Sequence, residues 1–341
     1  MNEVVPKAPK HFVPYPASWY PFCQTKELGS KPVRRKILGR ELVAFRSESG
    51  RVAVMDAYCS HMGADLGNGC IKGETISCPY HGWTYGQDGQ CTQASGNASI
   101  PAFAKQRTYP AREKYGLLFF FNGDVPTYDI PFFEGENEND FLFGGGFSLE
   151  GETPWFMLGS HAFDEQHLHL VHARHLLTEL KVDRPHPLAR RATHTSHVCG
   201  EGIYDRLIRF FLGKRVEITM TVFSGTFIMV TGDFKNARSR FFLMATPLDA
   251  NNSRLDGLIF SSKKGPVFDR LFAKPGFAIR RFFTYGYLAA VRDEIGHHAY
   301  NPHRLTTGDA KLVDYFNWVH EVTSPPVIEP SARFDRVPLT V

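Results

Sequence analysis

The sequence lacks most of the features that would assign it to a specialised class. No run approaches the roughly 18 apolar residues of a membrane-spanning helix, and the most apolar stretch, Leu117–Phe121, is only a strand's length. Met1–Lys10 has no apolar segment of the secretory type, so cytoplasm is the expected location. A net charge of +4 over 341 residues is too mild to argue for nucleic acid or a membrane as partner. Internal repeats and low-complexity tracts are absent. No Gly-x-Gly-x-x-Gly unit stands between a strand and a helix, so no NAD(H) or flavin site of that kind is expected. The six cysteines follow no framework spacing, which argues against a disulfide scaffold.

What is present is concentrated in two short stretches. The first reads Cys59-Ser60-His61, sixteen residues, then Cys78-Pro79-Tyr80-His81. Two thiolates and two imidazoles, each loop giving one of each, are the ligands of a [2Fe–2S] centre of the Rieske type, where two histidines replace two cysteines on one iron. Gly63, Gly67, Gly69, Gly73 and Gly82 supply the backbone freedom such loops need. The alternative is a zinc Cys2His2 site, whose half-motifs pair Cys with Cys and His with His. The other thiols, Cys23, Cys70, Cys91 and Cys199, are expected to be buried and free.

The length implies about two domains. Residues 1–16 are proline-bearing and polar, an arm. Short alternating strands follow at Val33–Leu38, Glu41–Arg46 and Arg51–Asp56, and an apolar strand at Tyr115–Asn122 ends a first domain, residues 17–125. A Pro/Gly/acidic connector, 126–146, leads to a second domain, 147–341. There a histidine-rich helix is expected over Gly159–Leu180, then strands at Thr193–Cys199, Arg215–Phe223, Thr226–Phe234, Arg238–Thr246 and Leu255–Ser261. Helices over Pro266–His298 and Asp309–Val322 close the chain. The class is α+β. Most of the 29 phenylalanines belong to the core, with a minority free to line an apolar pocket.

The second stretch is Asp164-Glu165-Gln166-His167-Leu168-His169-Leu170-Val171-His172. Two histidines and one carboxylate on one face make the facial triad of non-haem Fe(II) oxygenases. On an ideal helix, however, His167 and His172 point about 140° apart, so one metal can hold both only if the helix breaks or bulges. The carboxylate must come from elsewhere, and Asp293 and Glu294 on the late helix are the candidates. His161, His169 and His175 read as surface, pocket or supporting residues, and His297 and His298 as capping or solvated. Tyr80, Trp83 and Tyr85 read as packing over the first site, with tuning of its potential a secondary role.

On Cys59-x-His61, Cys78-x-x-His81 and Asp164-x-x-His167-x-x-x-x-His172, the chain resembles the terminal oxygenase (alpha) subunit of the Rieske non-haem iron oxygenases. The resemblance implies an N-terminal all-β Rieske [2Fe–2S] domain followed by a helix-grip (START-like) catalytic domain, with antiparallel sheet and helices. It implies a [2Fe–2S] cluster on Cys59, His61, Cys78 and His81, and a mononuclear non-haem Fe(II) on His167, His172 and Asp293. It also makes Asp164 the electron bridge between subunits of a homotrimer. O2 would be co-substrate, an apolar ring-containing small molecule the substrate, and a ferredoxin and/or flavin reductase the electron donor. Some members carry Asn where this chain has Ser160.

C-hydroxylation, desaturation, demethylation and arylamine N-oxygenation to a nitro group all stay open within that class. A pure electron carrier is the rival of another class. A ferredoxin leaves over half the chain unexplained, and the quinol-oxidising type resembles a pattern with extra cysteines where this chain has Ala64 and Tyr80. A helix-grip sensor retaining a Rieske domain is the third. The basic runs Arg34-Arg35-Lys36, Arg190-Arg191 and Lys214-Arg215 are candidate docking points for an acidic ferredoxin.

Overall fold

The computed structural model describes residues 7–95, 99–295 and 298–324; the side chains of residues 145 and 289–295 lie outside the described set. Among the described residues, 19–121 form three small antiparallel sheets. β1 (Trp19–Gln24), β10 (Ala111–Lys114) and β11 (Leu117–Phe121) make one. β2 (Val33–Ile37), β3 (Arg40–Arg46), β4 (Val52–Asp56) and β9 (Thr108–Tyr109) make the second. β5 (Cys70–Lys72), β6 (Thr75–Ser77), β7 (Thr84–Tyr85) and β8 (Cys91–Gln93) make the third. The expected strands over 33–56 are β2 to β4, each bound within one residue. Leu38 and Gly39, both at positive φ (53° and 70°), form the tight turn between β2 and β3.

The C-terminal half is a single antiparallel sheet. Its strands are β12 (Phe141–Gly151), β13 (Arg174–Leu176), β14 (Lys181–His186), β15 (Ala189–Val198), β16 (Arg215–Phe223), β17 (Phe227–Phe234), β18 (Arg238–Pro247) and β19 (Ser253–Ser262). They run in the order β12-β19-β18-β17-β16-β15-β13, with β14 also on β15. The helices are α1 (Trp155–Leu158), α2 (Glu165–Leu170), α3 (Ile203–Phe211), α4 (Pro266–Ile295) and α5 (Ala310–Thr323).

Three expectations need correction. Gly159–Leu180 is not one helix: a 3-10 turn at Ser160–Phe163 and α2 are followed by β13. The last part of the stretch read as connector belongs to β12, whose Gly144-Gly145-Gly146 run sits at a register shift against β19; glycines that look like a linker here form a bulge. The sequence reading also passed over β14 and α3, β14 because its polar Lys-Val-Asp-Arg-Pro-His offers no apolar alternation.

Why Phe227–Val230 of β17 and Phe241–Ala245 of β18 are continuous apolar runs, rather than alternating, follows from what covers them. Ile228, Val230, Phe241 and Leu243 face the core under the helices, with Trp155, Phe163, Tyr315 and Trp318. Phe227, Met229, Phe242 and Met244 face the other way, onto Trp19, Tyr115, Phe119 and Phe121 of the N-terminal half. A sheet covered on both faces reads as a continuous apolar run. The N-terminal segment also lies on the C-terminal half: Phe12 stacks on Phe156 at 3.7 Å, and the Trp155 indole donates to the Val13 carbonyl at 3.1 Å.

Phe242 is fully buried between the two halves, edge-on to Tyr115 and beside Phe260. Phe242→Ala should therefore lower unfolding stability by about 3–5 kcal/mol, read as a shift of the urea midpoint.

Candidate metal centres

The two N-terminal ligand loops are the same device used twice. In the first, the Gly63 N–H donates back to the Cys59 carbonyl (2.9 Å) and the Cys59 N–H donates to Ala64 (2.8 Å). In the second, the Gly82 N–H donates to the Cys78 carbonyl (3.1 Å) and the Cys78 N–H to Trp83 (2.7 Å). Gly63 and Gly82 both adopt positive φ, 71° and 72°, which the reversal of the chain requires. Gly69 serves differently: a Cβ there would lie 2.3 Å from the Ser77 carbonyl, so its lack of a side chain lets the loops approach.

The loops set Cys59 beside Cys78 and His61 beside His81, although among the described residues no three Cys, His, Asp or Glu are arranged as a group that could hold a metal ion. Cys59 and Cys78 are buried, at 3% and 4% exposure. Burial pushes the Cys78 thiol up, and nearby Cys59 adds to that, so two thiolates here need a cation between them. The His61 and His81 rings lie 4.8 Å apart, both half-buried at the protein surface. Buried sulfurs and surface-facing imidazoles fit a [2Fe–2S] cluster of the Rieske type. Trp83 stacks on His61 at 4.3 Å and 2° and donates to Ser95 (3.1 Å). Tyr85 does more than pack, since its hydroxyl lies 3.0 Å from Cys59 Sγ and 3.0 Å from Ser60 Oγ. Tyr80 is exposed and tilted against His81. Of the other thiols, Cys23 and Cys91 are buried and free as expected; Cys70 and Cys199 are free but exposed.

The geometric conflict at the second site is resolved by a break in the helix. Asp164 caps α2, its carboxylate accepting from the His167 N–H (2.9 Å). The helix stops at Leu170, Ala173 takes φ 47°, and the chain enters β13. His172 thereby swings back, and its ring comes within 4.8 Å of the His167 ring. The Arg174 guanidinium, buried and paired with Asp205, donates to the His172 carbonyl at 2.7 Å and fixes the turn. Tyr287 of α4 stacks on the His172 ring at 3.9 Å and 5°.

Both imidazoles are buried, and His167 Nε2 has no hydrogen-bond partner among the described residues. Burial pushes His167 down, and burial together with His167 and Arg174 pushes His172 to about 2. Neutral, unpartnered imidazole is the form that binds a metal, so the pair fits a mononuclear iron. Among the described residues no third Cys, His, Asp or Glu completes such a group. Asp293 and Glu294 lie on α4, but their side chains are outside the described residues.

Two further histidines lie near the pair, His161 in the supporting place expected for it. The His161 ring stacks 4.7 Å from His167, and His298 lies 6.3 Å from His161 with a buried, unpartnered Nδ1, so it is not solvated. Neither had a distinguishing spacing. His194 of β15 is 1% exposed with neither ring nitrogen partnered. His169 is exposed, with Nδ1 3.3 Å from the Arg174 carbonyl, and His175 is exposed on β13. The basic run at 34–36 is largely neutralised within the chain, Arg34 by Glu41 and Asp65 and Arg35 by Glu27.

Tyr85→Phe removes a donor from a cluster sulfur and should lower its reduction potential by about 40 mV, the equivalent of one hydrogen bond of about 1 kcal/mol, measured by redox titration of the visible spectrum. His194 is pushed down to about 4, by burial first and then by Arg174. It stays neutral in the fold while the unfolded chain takes up a proton below about 6.5. The associated stability is complete above pH 6.5 and is lost as pH falls through about 4. His194→Leu should flatten the pH dependence of the urea midpoint over that window, by roughly 2–3 kcal/mol.

Residues 18–109 match the Rieske [2Fe-2S] domain family. The chain is similar to aminopyrrolnitrin oxygenase of Pseudomonas fluorescens, 34% identical over 166 residues, 46% of this chain and 46% of that protein. It is similar also to the oxygenase component of 3-ketosteroid-9-alpha-monooxygenase of Rhodococcus rhodochrous, 38% identical over 103 residues, 29% of this chain and 27% of the relative. The matched region thus spans less than half of either relative. Among solved structures, dicamba monooxygenase bound to dicamba superposes with a TM-score of 0.64 at 18% identity, covering 92% of this chain and 98% of that one. Residues 18–109 are therefore a Rieske [2Fe–2S] domain, and the chain as a whole has the fold seen in dicamba monooxygenase.

Proposed function

We propose that the chain is the terminal oxygenase component of a multicomponent Rieske non-haem iron system, oxidising an apolar, ring-containing small molecule. The observation that carries this reading is the buried His167–His172 pair, whose stacking neighbour Tyr287 also lines an apolar cavity. The cavity, about 320 Å³, is walled by Ile218, Val230, Phe241, Phe283 and Tyr287, and Tyr287 is the ring stacked on His172. A substrate in it is held mainly by apolar contact, with Tyr287 joining the cavity wall to the His172 ring.

In this reading Cys59, His61, Cys78 and His81 hold the cluster, and His167, His172 and Asp293 (or Glu294) hold the iron. Iron held this way supplies O2 activation once electrons reach it. The protein's own part is to keep both imidazoles neutral, fix His172 through Arg174, and exclude water from the cavity. Asp164, already bonded to the His167 N–H, is the proposed electron bridge between subunits of a homotrimer. The division into a Rieske unit at 17–125 and a catalytic unit beyond a 126–146 connector belongs to the same proposal, with the connector's last residues, from Phe141, already in β12.

Electrons would come from a ferredoxin and/or flavin reductase, a reading supported by a relative named as an oxygenase component. The likeness to aminopyrrolnitrin oxygenase makes arylamine N-oxygenation the second reading. Mass gain on a panel of arylamines, fused-ring hydrocarbons and steroids separates the two.

Metal content tests the core of the proposal. Anaerobically purified protein should hold about three iron and two sulfide per chain, and His167→Ala about two of each. Two irons in both proteins after Fe(II) reconstitution would leave an electron carrier or a sensor.

A further inference from the structure

The mild net charge hides a concentrated one. Residues 201–215, around α3, carry four lysines and arginines against two acids, and residues 263–288, over most of α4, carry six against one. These two segments hold seven net positive charges, more than the +4 of the whole chain. The remainder of the molecule is therefore net negative. The segments are also neighbours in space. Tyr204 of α3 packs so closely on Gly286 of α4 that a Cβ there would lie 2.4 Å from its ring, and it tilts against Phe282 at 4.8 Å.

The same two helices carry several exposed aromatic residues, Phe210 being the most exposed among those described. On α4 the exposed apolar side chains are Val267, Phe268, Leu271, Phe272, Ile279 and Phe282. At 100° per residue these fall within an arc of about 140°, and Arg270, Lys274 and Arg281 fall in a narrow arc along one side of it. The stripe runs about 22 Å along the helix at 1.5 Å per residue. On α3, Ile203, Phe210 and Phe211 share one face, and Phe210 is 81% exposed. Buried phenylalanine is ordinary, but so many exposed ones in one place mark a surface that is covered in use.

We propose that α3 and the first two-thirds of α4 form a docking surface for an anionic lipid bilayer, lying in its interface rather than crossing it. Helices with Phe and Leu on one face and Lys and Arg beside it bind this way, the rings entering the acyl boundary and the cations meeting lipid phosphate. No described helix is long and apolar enough to cross a membrane. A bilayer suits a long stripe with basic groups along its margin, because it demands charge and apolar depth but no matching contour. The two helices also roof the cavity through Ile208, Leu212, Ile279 and Phe283. On the oxygenase reading, a bilayer-soluble substrate would meet the cavity where the protein docks; the docking itself does not depend on that reading.

The test is flotation of the full chain with vesicles of phosphatidylcholine alone and of phosphatidylcholine mixed with phosphatidylglycerol. Wild type should float with the mixed vesicles and bind several-fold less to the neutral ones. Phe211→Ser with Phe272→Ser should cut the bound fraction about tenfold, and Arg270→Glu with Lys274→Glu should abolish the preference for phosphatidylglycerol. Both variants change exposed side chains, and an unchanged visible spectrum of the cluster reports that each has folded. Failure of wild type to float overturns the proposal, as does flotation of the phenylalanine variant at the wild-type level. A wild-type oligomer that the phenylalanine variant dissociates, without flotation of either, assigns the face to contacts between copies and overturns it equally. None of these outcomes bears on the iron count at His167 and His172.

Discussion

Two histidines five residues apart on a regular helix point away from each other, and no side-chain rotamer cancels a divergence of about 140°. The C-terminal site therefore depends on the stop at Leu170. Asp164 fixes where α2 begins, Ala173 takes the left-handed conformation that ends the reversal, and Arg174 ties the His172 carbonyl down against Asp205. A non-glycine residue at positive φ is held there only when its surroundings over-determine it. Here the surroundings are β13 pairing with β15 and the buried guanidinium.

The interior that receives this turn is built to keep histidines neutral. His161, His167, His172 and His194 are all pushed below the ordinary imidazole range, with burial the leading cause in each. A cation placed among them would meet unprotonated nitrogen, with the Arg174 guanidinium, already paired with Asp205, the nearby positive charge. The cost is borne by two-sided coverage of the sheet, which packs helices on one face and the N-terminal half on the other. The second of those interfaces makes the two halves of the chain one packed body, through Phe119, Phe121, Phe242 and Phe260.

The N-terminal ligands show a different economy. Cys59 and Cys78 each begin a loop closed by a glycine four residues on, so the spacing of ligand and glycine is nearly the whole design. A tight loop is a local object, and its requirements are written within five residues. This is why the flanking strands β2 to β4 and the strands β15 to β19 could be read directly. Alternation and turn residues act at short range.

What escaped the sequence is what several distant segments decide jointly. The glycines before Phe147 read as linker because only pairing with β19 turns them into a bulged strand. His161 and His298 sit 137 positions apart and share a site only through packing. Residues Gly159–Leu180 carry helical periodicity, yet β15 captures part of them as a strand, since edge pairing outweighs propensity over three residues. By itself the sequence determined which atoms are available to metals and which loops present the cluster ligands. The tertiary structure decided that His172 returns to His167, that Tyr287 stands between His172 and an apolar cavity, and that positive charge is gathered with exposed phenylalanines on α3 and α4. Those outcomes depend on distances between residues far apart in the chain, which local pattern does not encode.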